Sequence, residues 1–415
     1  MHRSLTGRQS RRTPSTDTLT AGADAPHARI SAVALGLLAT PTALSANATT
    51  TTLPGIAHDI GVSVSTATWL ATAFGLAVAV CTPLAAALLR CRGTRAVVLT
   101  SAVLVAAGTV LVTASESMPG LLAGRALQAL GGSGLVTTAI NLAGTPRRMG
   151  VVTAGSGMCG ALGPLAGSLL SGHVSWHVPL TLSAVALLAV PYVVLRAPAP
   201  RPGEARAPFD PVGASLTVAL VCALVLLGRF PVPALLCATV LSVALIAWIR
   251  REPEGFLPSA VLRSPAFLTA SGMVCALSTV YFALLYTVPR FLQDDADWSA
   301  ADVGVGSLVA LLVGSAASWG MAAYAHRLSR TAVLTVLLAL GVLAPVTAAV
   351  TAAAPVLLAT AGVAVFVAAS GQATLSMVAA GGVPQRQRPT GLGLFTLCYQ
   401  LGGAFGPAIA ALLLA

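Results

Sequence analysis

Apolar residues in this chain come in long, nearly unbroken runs, separated by short polar segments rich in arginine. A helix that crosses a bilayer needs about 20 mostly apolar residues. On that rule the runs predict thirteen spans, near residues 30–52, 66–89, 96–112, 119–143, 151–170, 178–195, 212–227, 231–249, 266–288, 303–324, 331–350, 354–380 and 391–415. Residues 1–29 are polar and hold Arg3, Arg8, Arg11, Arg12 and Arg29. No apolar stretch with a small-residue cleavage site directly follows, so this segment reads as a disordered cytoplasmic tail and not as a secretory signal.

Composition sharpens the pattern. The 415 residues are 56% hydrophobic and only 8% charged, where a soluble protein carries about 25% charged residues. The fold class is therefore an all-α polytopic membrane protein, with the lipid bilayer as its first partner. All 23 basic residues are arginine, and the net charge is +11. Basic residues collect in short cytoplasmic loops. With the N-terminus inside, the even-numbered loops and the tail hold 20 of the 23 arginines. Only Arg229 and Arg290 fall outside, and Arg125 lies within a span. This sorting makes the N-terminus cytoplasmic and, after thirteen crossings, the C-terminus external. It also accounts for the charge without a nucleic-acid partner. The seven cysteines show no paired spacing, so neither a disulfide framework nor a zinc site is expected. Nucleophile-elbow, zinc-protease and phosphate-loop signatures are absent, so no enzyme activity and no cofactor is expected.

The halves of the chain repeat weakly. Arg92-Gly93-Thr94-Arg95 returns as Arg327-Leu328-Ser329-Arg330, an offset of 235. Gly160-Ala161-Leu162-Gly163-Pro164 returns as Gly403-Ala404-Phe405-Gly406-Pro407, an offset of 243. Parallel repeats of this kind place a substrate site at the interface between two bundles. The organisation expected is a six-helix bundle over 30–196, a linker with two inserted helices over 197–262, and a five-helix bundle over 263–415. The counterpart of the sixth span would fall near 421–438, so the second half is expected to lack its last helix.

Candidate chemistry sits inside the spans. An arginine within a hydrophobic span costs roughly 2.5–3.5 kcal/mol on insertion scales and usually faces a bundle interior or polar cavity. Arg125 is such a residue, and Gln128 and Gly131 follow it at i+3 spacing. The competing reading is an arginine snorkelling to the near surface. Asn47 and Thr50, in the run Thr49–Thr52, are candidate cavity liners, although threonines also bond their own helix backbone. Tyr281, Gln372, Tyr399 and Gln400 are candidates for the cavity wall in the second half. Gly160, Gly163, Pro164 and Gly167, with Gly403, Gly406 and Pro407, read as close-packing and kink positions. All twelve acidic residues fall in predicted loops or the tail, so none is placed as a proton-binding carboxylate in the membrane.

These residues resemble the major facilitator superfamily, and within it the fourteen-span drug:proton antiporter branch, which inserts two helices between two six-helix bundles. The fourth-helix motif R-x-x-Q-G-x-G is matched by Arg125-Ala126-Leu127-Gln128-Ala129-Leu130-Gly131. The antiporter motif ending G-P-x-x-G-G is matched by Gly163-Pro164-Leu165-Ala166-Gly167-Ser168, and the start of the inserted pair by Phe209-Asp210-Pro211-Val212-Gly213-Ala214. The family's P-x-x-L-Q corresponds to Pro289-Arg290-Phe291-Leu292-Gln293. Two departures stand out. In the loop motif carrying Arg92 and Arg95, the family's aspartate is Arg90, and the aspartate of the first helix is Ser45. The resemblance implies a monomeric exporter of small amphipathic drugs or antibiotics in a bacterial plasma membrane, working by alternating access with protons as the coupling ion. An importer or uncoupled facilitator, and a non-transporting paralogue, are the alternatives that the two departures leave open.

Overall fold

The computed structural model describes residues 30–197, 209–228, 230–294, 298, 300–324 and 329–413. The predicted tail, the predicted linker over 198–208 and the Arg327-Leu328 part of the repeat lie outside them, as does the side chain of Pro407. Among the described residues every regular element is helical. The first half supplies α1 (Ala32–Ile60), α2 (Trp69–Arg92), α3 (Thr94–Ala114), α4 (Met118–Ala143), α5 (Pro146–His173) and α6 (His177–Arg196). Then come α7 (Pro211–Val225) and α8 (Pro231–Arg251). The second half supplies α9 (Pro265–Asp294), α10 (Ala300–Tyr324), α11 (Arg330–Val350), α12 (Ala354–Gly381) and α13 (Arg388–Leu413).

Ten of these are each long and apolar enough to cross a membrane. Of the other three, α7 is a shorter apolar helix, while α4 and α13 have 26 residues each, about 39 Å at 1.5 Å per residue. The thirteen expected spans thus correspond to thirteen helices, with one clear revision of length. The first was expected to stop near residue 52, before Pro54, but α1 runs on to Ile60 with Pro41 and Pro54 inside it. It stops at Gly61, whose φ of 70° places the chain in the left-handed region that ends helices. The Val62 N–H then reaches back to the carbonyl of Ala57 at 3.0 Å. The sixth helix is also not uniform, since it tightens to a 3-10 helix over Leu182–Ala189.

The two halves pack alike. The pairs α1–α5, α2–α4 and α3–α4 of the first half reappear as α9–α13, α10–α12 and α11–α12. The likeness holds at single positions. A Cβ on Gly163 would meet the Asn47 Cβ and the Ala48 nitrogen, and a Cβ on Gly406 would meet the Phe282 Cβ and the Ala283 nitrogen. Helices in lipid gain little from burying apolar surface against each other, so they associate through such close backbone approaches. Both halves meet through α2–α13 and α5–α10, and α7 lies against both α2 and α13.

The contacts between halves are one-sided. The arginine-bearing loops after α2, α4, α6, α8 and α12 define one end of the molecule, and Asp59, Glu116 and Asp302 mark the other. Near the arginine end, Gly150 of α5 sits against Ala322 of α10, and Gly393 of α13 against Ala86 of α2. These two contacts are related by the repeat offset of 243 between the glycines. The buried cluster there mixes Ala39, Ile140 and Val152 with Ala373 and Leu392. At mid-depth Ala161 packs with Leu311 and Val365. Towards the far end the clusters separate. Leu53, Ile56, Leu70 and Leu121 belong to the first half alone, and Leu284, Val288, Ala344 and Leu357 to the second alone. Among the described residues the halves are therefore joined at the arginine end and parted at the other.

Gly163 tests the close packing. Valine there would drive its side chain into the α1 backbone, where the Leu44 carbonyl lies 3.0 Å from the added Cβ. Overpacking of this kind costs about 1–3 kcal/mol. Gly163→Val is expected to lower the thermal unfolding midpoint in detergent, whereas Gly172→Val, with nothing within 4 Å of its Cβ, is expected to leave it nearly unchanged.

Candidate functional site

Arg125 is fully buried, which excludes the snorkelling alternative. It projects from α4 between α1, α2 and α6. One terminal nitrogen, Nη1, donates to Ser45 Oγ and to Gln128 Oε1, both at 3.0 Å. Nη2 approaches the Ser45 carbonyl at 3.5 Å. The guanidinium carbon lies 4.2 Å from the centre of the Phe74 ring, within the range of a cation–π contact. Nε is buried with no partner among the described residues. Gln128, also fully buried, turns its amide nitrogen to Thr109 Oγ1 at 3.2 Å and to the Leu180 carbonyl at 3.0 Å.

Local structure prepares this cluster. A helix places residues i and i+3 on one face, which brings Gln128 Oε1 to Arg125. The Leu180 carbonyl lies just before α6 tightens into its 3-10 stretch, and Ser45 Oγ also donates to it at 3.5 Å. Gly131, one turn beyond Gln128, has no role in the polar contacts. A Cβ there would press on the backbone of Ser101 and Val105, so its smallness lets α3 lie close against α4. Among the described residues no carboxylate pairs with Arg125, and the described acidic side chains sit at helix ends or in loops. The guanidinium charge is met by hydroxyl, amide, carbonyl and ring dipoles alone.

A second polar cluster explains the glycine–proline motif. Pro164 lies inside α5 and has no N–H. The Gly160 carbonyl, which an α-helix would pair with that N–H, accepts instead from Asn47 Nδ2 at 2.9 Å. Thr51 Oγ1 donates to the Pro164 carbonyl at 3.2 Å. Asn47 is half-buried and its amide nitrogen is used to tie α1 to α5. Thr50 is exposed, and its hydroxyl donates to the Asn47 carbonyl in its own helix. Gly163 and Gly167 bring the two backbones together beside this bond. In the second half Phe282 stands where Asn47 stands in the first, packed against Gly403 and Gly406.

The second-half candidates form a different kind of surface. Tyr281 and Phe282 are 4.7 Å apart at their ring centres, and Tyr399 meets Phe282 edge-on at 6.2 Å. Tyr281 packs beside the mid-depth contact between halves. Tyr399 and Gln400 are consecutive on α13, and Gln372 lies on α12. All four candidates are half-buried, and the polar groups of Tyr281, Gln372, Tyr399 and Gln400 have no hydrogen-bond partner among the described residues. Arg92 ends α2 and Arg95 lies in the first turn of α3, either side of Gly93 and away from both clusters. The sequence does not single out Ser45 and Phe74 as contacts of Arg125, or Thr109 and Leu180 as contacts of Gln128. Only Ser45 had a signal in the sequence, as the position where the family motif has an acid.

A family model described as "Major Facilitator Superfamily" matches residues 35–407. An uncharacterized transporter of this type from Bacillus subtilis, YvkA, is 25% identical over 66% of this chain and 65% of its own length. The multidrug export protein EmrB of Escherichia coli is 24% identical over 74% of this chain and 64% of its own. A chloramphenicol resistance protein of Streptomyces lividans is 32% identical over a shorter stretch, 35% of this chain and 39% of that protein. The matched stretches thus span less than two thirds of these relatives. Among solved structures, the human organic anion transporter MFSD10 superposes with a TM-score of 0.67 at 23% identity, covering 93% of both chains. FucP, a transporter solved in the outward conformation, superposes with a TM-score of 0.63 at 14% identity over 92% of this chain and 91% of its own. With its helical fold and a family match over nearly all the described residues, this chain is a multi-pass membrane protein that belongs to the major facilitator superfamily.

Proposed function

We propose that this transporter exports small amphipathic molecules, drugs or antibiotics that are neutral or anionic, across a bacterial plasma membrane by alternating access. The observation that carries the reading is the one-sided seam, closed by Gly150–Ala322 and Gly393–Ala86 at the arginine end and parted at the other. The positive-inside rule makes the arginine end cytoplasmic. The N-terminus is then inside, the C-terminus outside, and the bundles are parted towards the outside. Export of drugs is supported by the names of the E. coli and Streptomyces relatives. The inserted pair α7–α8 supports the fourteen-span branch.

The charge preference comes from Arg125. A cation held only by dipoles attracts an anion and repels a second cation, and the low dielectric around it strengthens both effects. Tyr281, Gln372, Tyr399 and Gln400 supply unpaired donors, acceptors and ring faces for an uncharged or anionic partner. Proton coupling would run through a group other than a carboxylate, because no described acidic side chain lies mid-span. That same observation favours a second reading, an uncoupled facilitator or importer on the same fold.

Accumulation of neutral, anionic and cationic antibiotics in an efflux-deficient host tests these readings. The chain is expected to lower accumulation of the first two classes and not of the third, and a protonophore is expected to abolish the effect. Flux that survives the protonophore would favour the facilitator. Protection against lipophilic cations would sink the charge argument. Ser45→Asp, which places a carboxylate beside Arg125, is expected to shift the preference towards cations.

Alternating access itself is tested at the seam. In a cysteine-free background, Ala86→Cys with Gly393→Cys is expected to cross-link on oxidation and stop transport, with recovery on reduction. Unchanged transport by the fully cross-linked protein would reject the mechanism.

Stability and transport should separate at Arg125. Gln128→Leu leaves the guanidinium short of a partner and is expected to cost about 1–3 kcal/mol. Replacing the whole set by Ser45→Ala, Arg125→Met and Gln128→Leu removes the buried charge, which is often neutral or stabilising. The triple variant is expected to melt at or above the Gln128→Leu midpoint and to transport nothing. Full transport by the triple variant would assign the cluster to folding alone.

A further inference from the structure

The α10–α12 interface of the second half is hollow where its first-half counterpart is filled. The seam residues Ala86 and Ala322 align α2 with α10 at an offset of 236. On α2 the side chains of Phe74 and Cys81 fill the contact with α4. Phe74 lies beneath the Arg125 guanidinium, and Cys81 donates to the Leu130 carbonyl at 3.0 Å. The same offset places Ala310 and Ala317 at those two positions on α10, and Gly306 and Gly314 at those of Leu70 and Val78. The backbones of α10 and α12 still cross closely, because a Cβ on Gly314 would strike the Gly362 carbonyl. Beside that crossing runs a groove of about 690 Å³, lined by these small α10 residues and, from α12, by Ala359, Gly362 and Phe366 among others. No charged side chain lines it.

The groove opens to lipid. On α10, Ser315 and Ala322 face α5, against Gly157 and Gly150. With about 3.6 residues per turn, Val309 and Val313 fall on the opposite side of the helix, and both are exposed. From Gly306 to Ala317 the helix rises about 17 Å, close to one leaflet of a bilayer whose hydrocarbon core is about 30 Å thick. The groove starts at the end of the molecule away from the arginines. There it shares Gly306 with a mouth of about 370 Å³, lined also by Trp298, Asp302 and Val305. Gly306 lets the Trp298 ring lie at this point, since a Cβ there would come within 3.0 Å of the ring.

We propose that this groove binds one phospholipid of the leaflet at that end, with an amine-bearing head group at Trp298 and Asp302 and one acyl chain laid along Gly306, Ala310, Gly314 and Ala317. An empty apolar groove forfeits dispersion contacts for the atoms that line it, and an acyl chain restores them over the depth of one leaflet. A carboxylate and an aromatic face both attract an ammonium group, and tryptophan rings collect at head-group depth. No basic side chain lines the mouth, so the amine and not the phosphate sets the choice of lipid. The lipid takes the volume that Phe74 and its neighbours take in the first half. This assignment is independent of what the protein transports and in which direction.

Native mass spectrometry of the purified full chain, titrated with phosphatidylethanolamine or phosphatidylglycerol of matched acyl chains, tests the site. The wild type is expected to retain one phosphatidylethanolamine about fivefold more tightly than phosphatidylglycerol, the upper range for an exposed ion pair. Asp302→Asn is expected to remove that preference. Ala359→Trp, which fills the groove, is expected to weaken both lipids about tenfold, the effect of excluding two methylene groups. Val240→Trp, on the exposed face of α8, is expected to bind as the wild type does, which separates the groove from the general lipid surface. Equal retention of the two lipids by the wild type would overturn the proposal, and so would undiminished binding by Ala359→Trp. A dimer that Ala359→Trp disperses would assign the groove to a second copy of the chain and overturn it as well. Should Ala359→Trp fail to accumulate as a monodisperse protein, Ala317→Leu, which fills the groove from α10, is read in the same way.

Discussion

Inside hydrocarbon there is no water to satisfy a polar group, so each one must find its partner within the protein. Several polar groups inside the spans are met by helices remote in sequence. The Gly160 carbonyl has lost its helical donor to Pro164 and is met by Asn47. The Leu180 carbonyl, where α6 tightens, is met by Gln128. The Arg125 guanidinium is met by Gln128, Ser45 and the face of Phe74. Each solution joins helices that are distant in sequence, and together they fix how α1, α4, α5 and α6 sit around one another. The glycines at 131, 163 and 167 serve the same end, because such bonds form only if the backbones come close.

The repeat shows how one packing scheme can carry two chemistries. Gly163 and Gly406 make equivalent close approaches, but the residue they meet is Asn47 in the first half and Phe282 in the second. At this position the first half is therefore polar, with Asn47 bonded to the Gly160 carbonyl. The second half offers aromatic faces with the unpaired hydroxyls of Tyr281 and Tyr399.

The loss of both family aspartates also has a structural counterpart. At Ser45 the missing acid leaves Arg125 solvated by dipoles, with Ser45 itself among its partners. At Arg90 the reversed charge no longer suits the partner that an aspartate would take, and it reaches the Gly255 carbonyl instead. The bond ties α2 to the linker that follows the inserted pair.

Much of this was legible in the chain itself. Span number, the sorting of arginines and the two-fold repeat depend on local run length, local charge and recurring short motifs, and the bilayer imposes the same thickness on every run. Arg125 and Gln128 could be paired from their spacing because three residues make nearly one helical turn. The far end of α1 could not be read from the length of the apolar run, since the helix continues past Pro54 to Ile60. Nor could the use of Asn47, which looked like a cavity liner and whose amide is committed to a carbonyl orphaned 113 residues away. Ser45 and Leu180 as partners of the buried arginine and glutamine, the bond from Arg90 to the Gly255 carbonyl, and the end at which the bundles meet were decided by tertiary structure alone. Hydrogen-bond partners and the tilt between bundles are set by contacts between helices remote in sequence, and no local pattern encodes them.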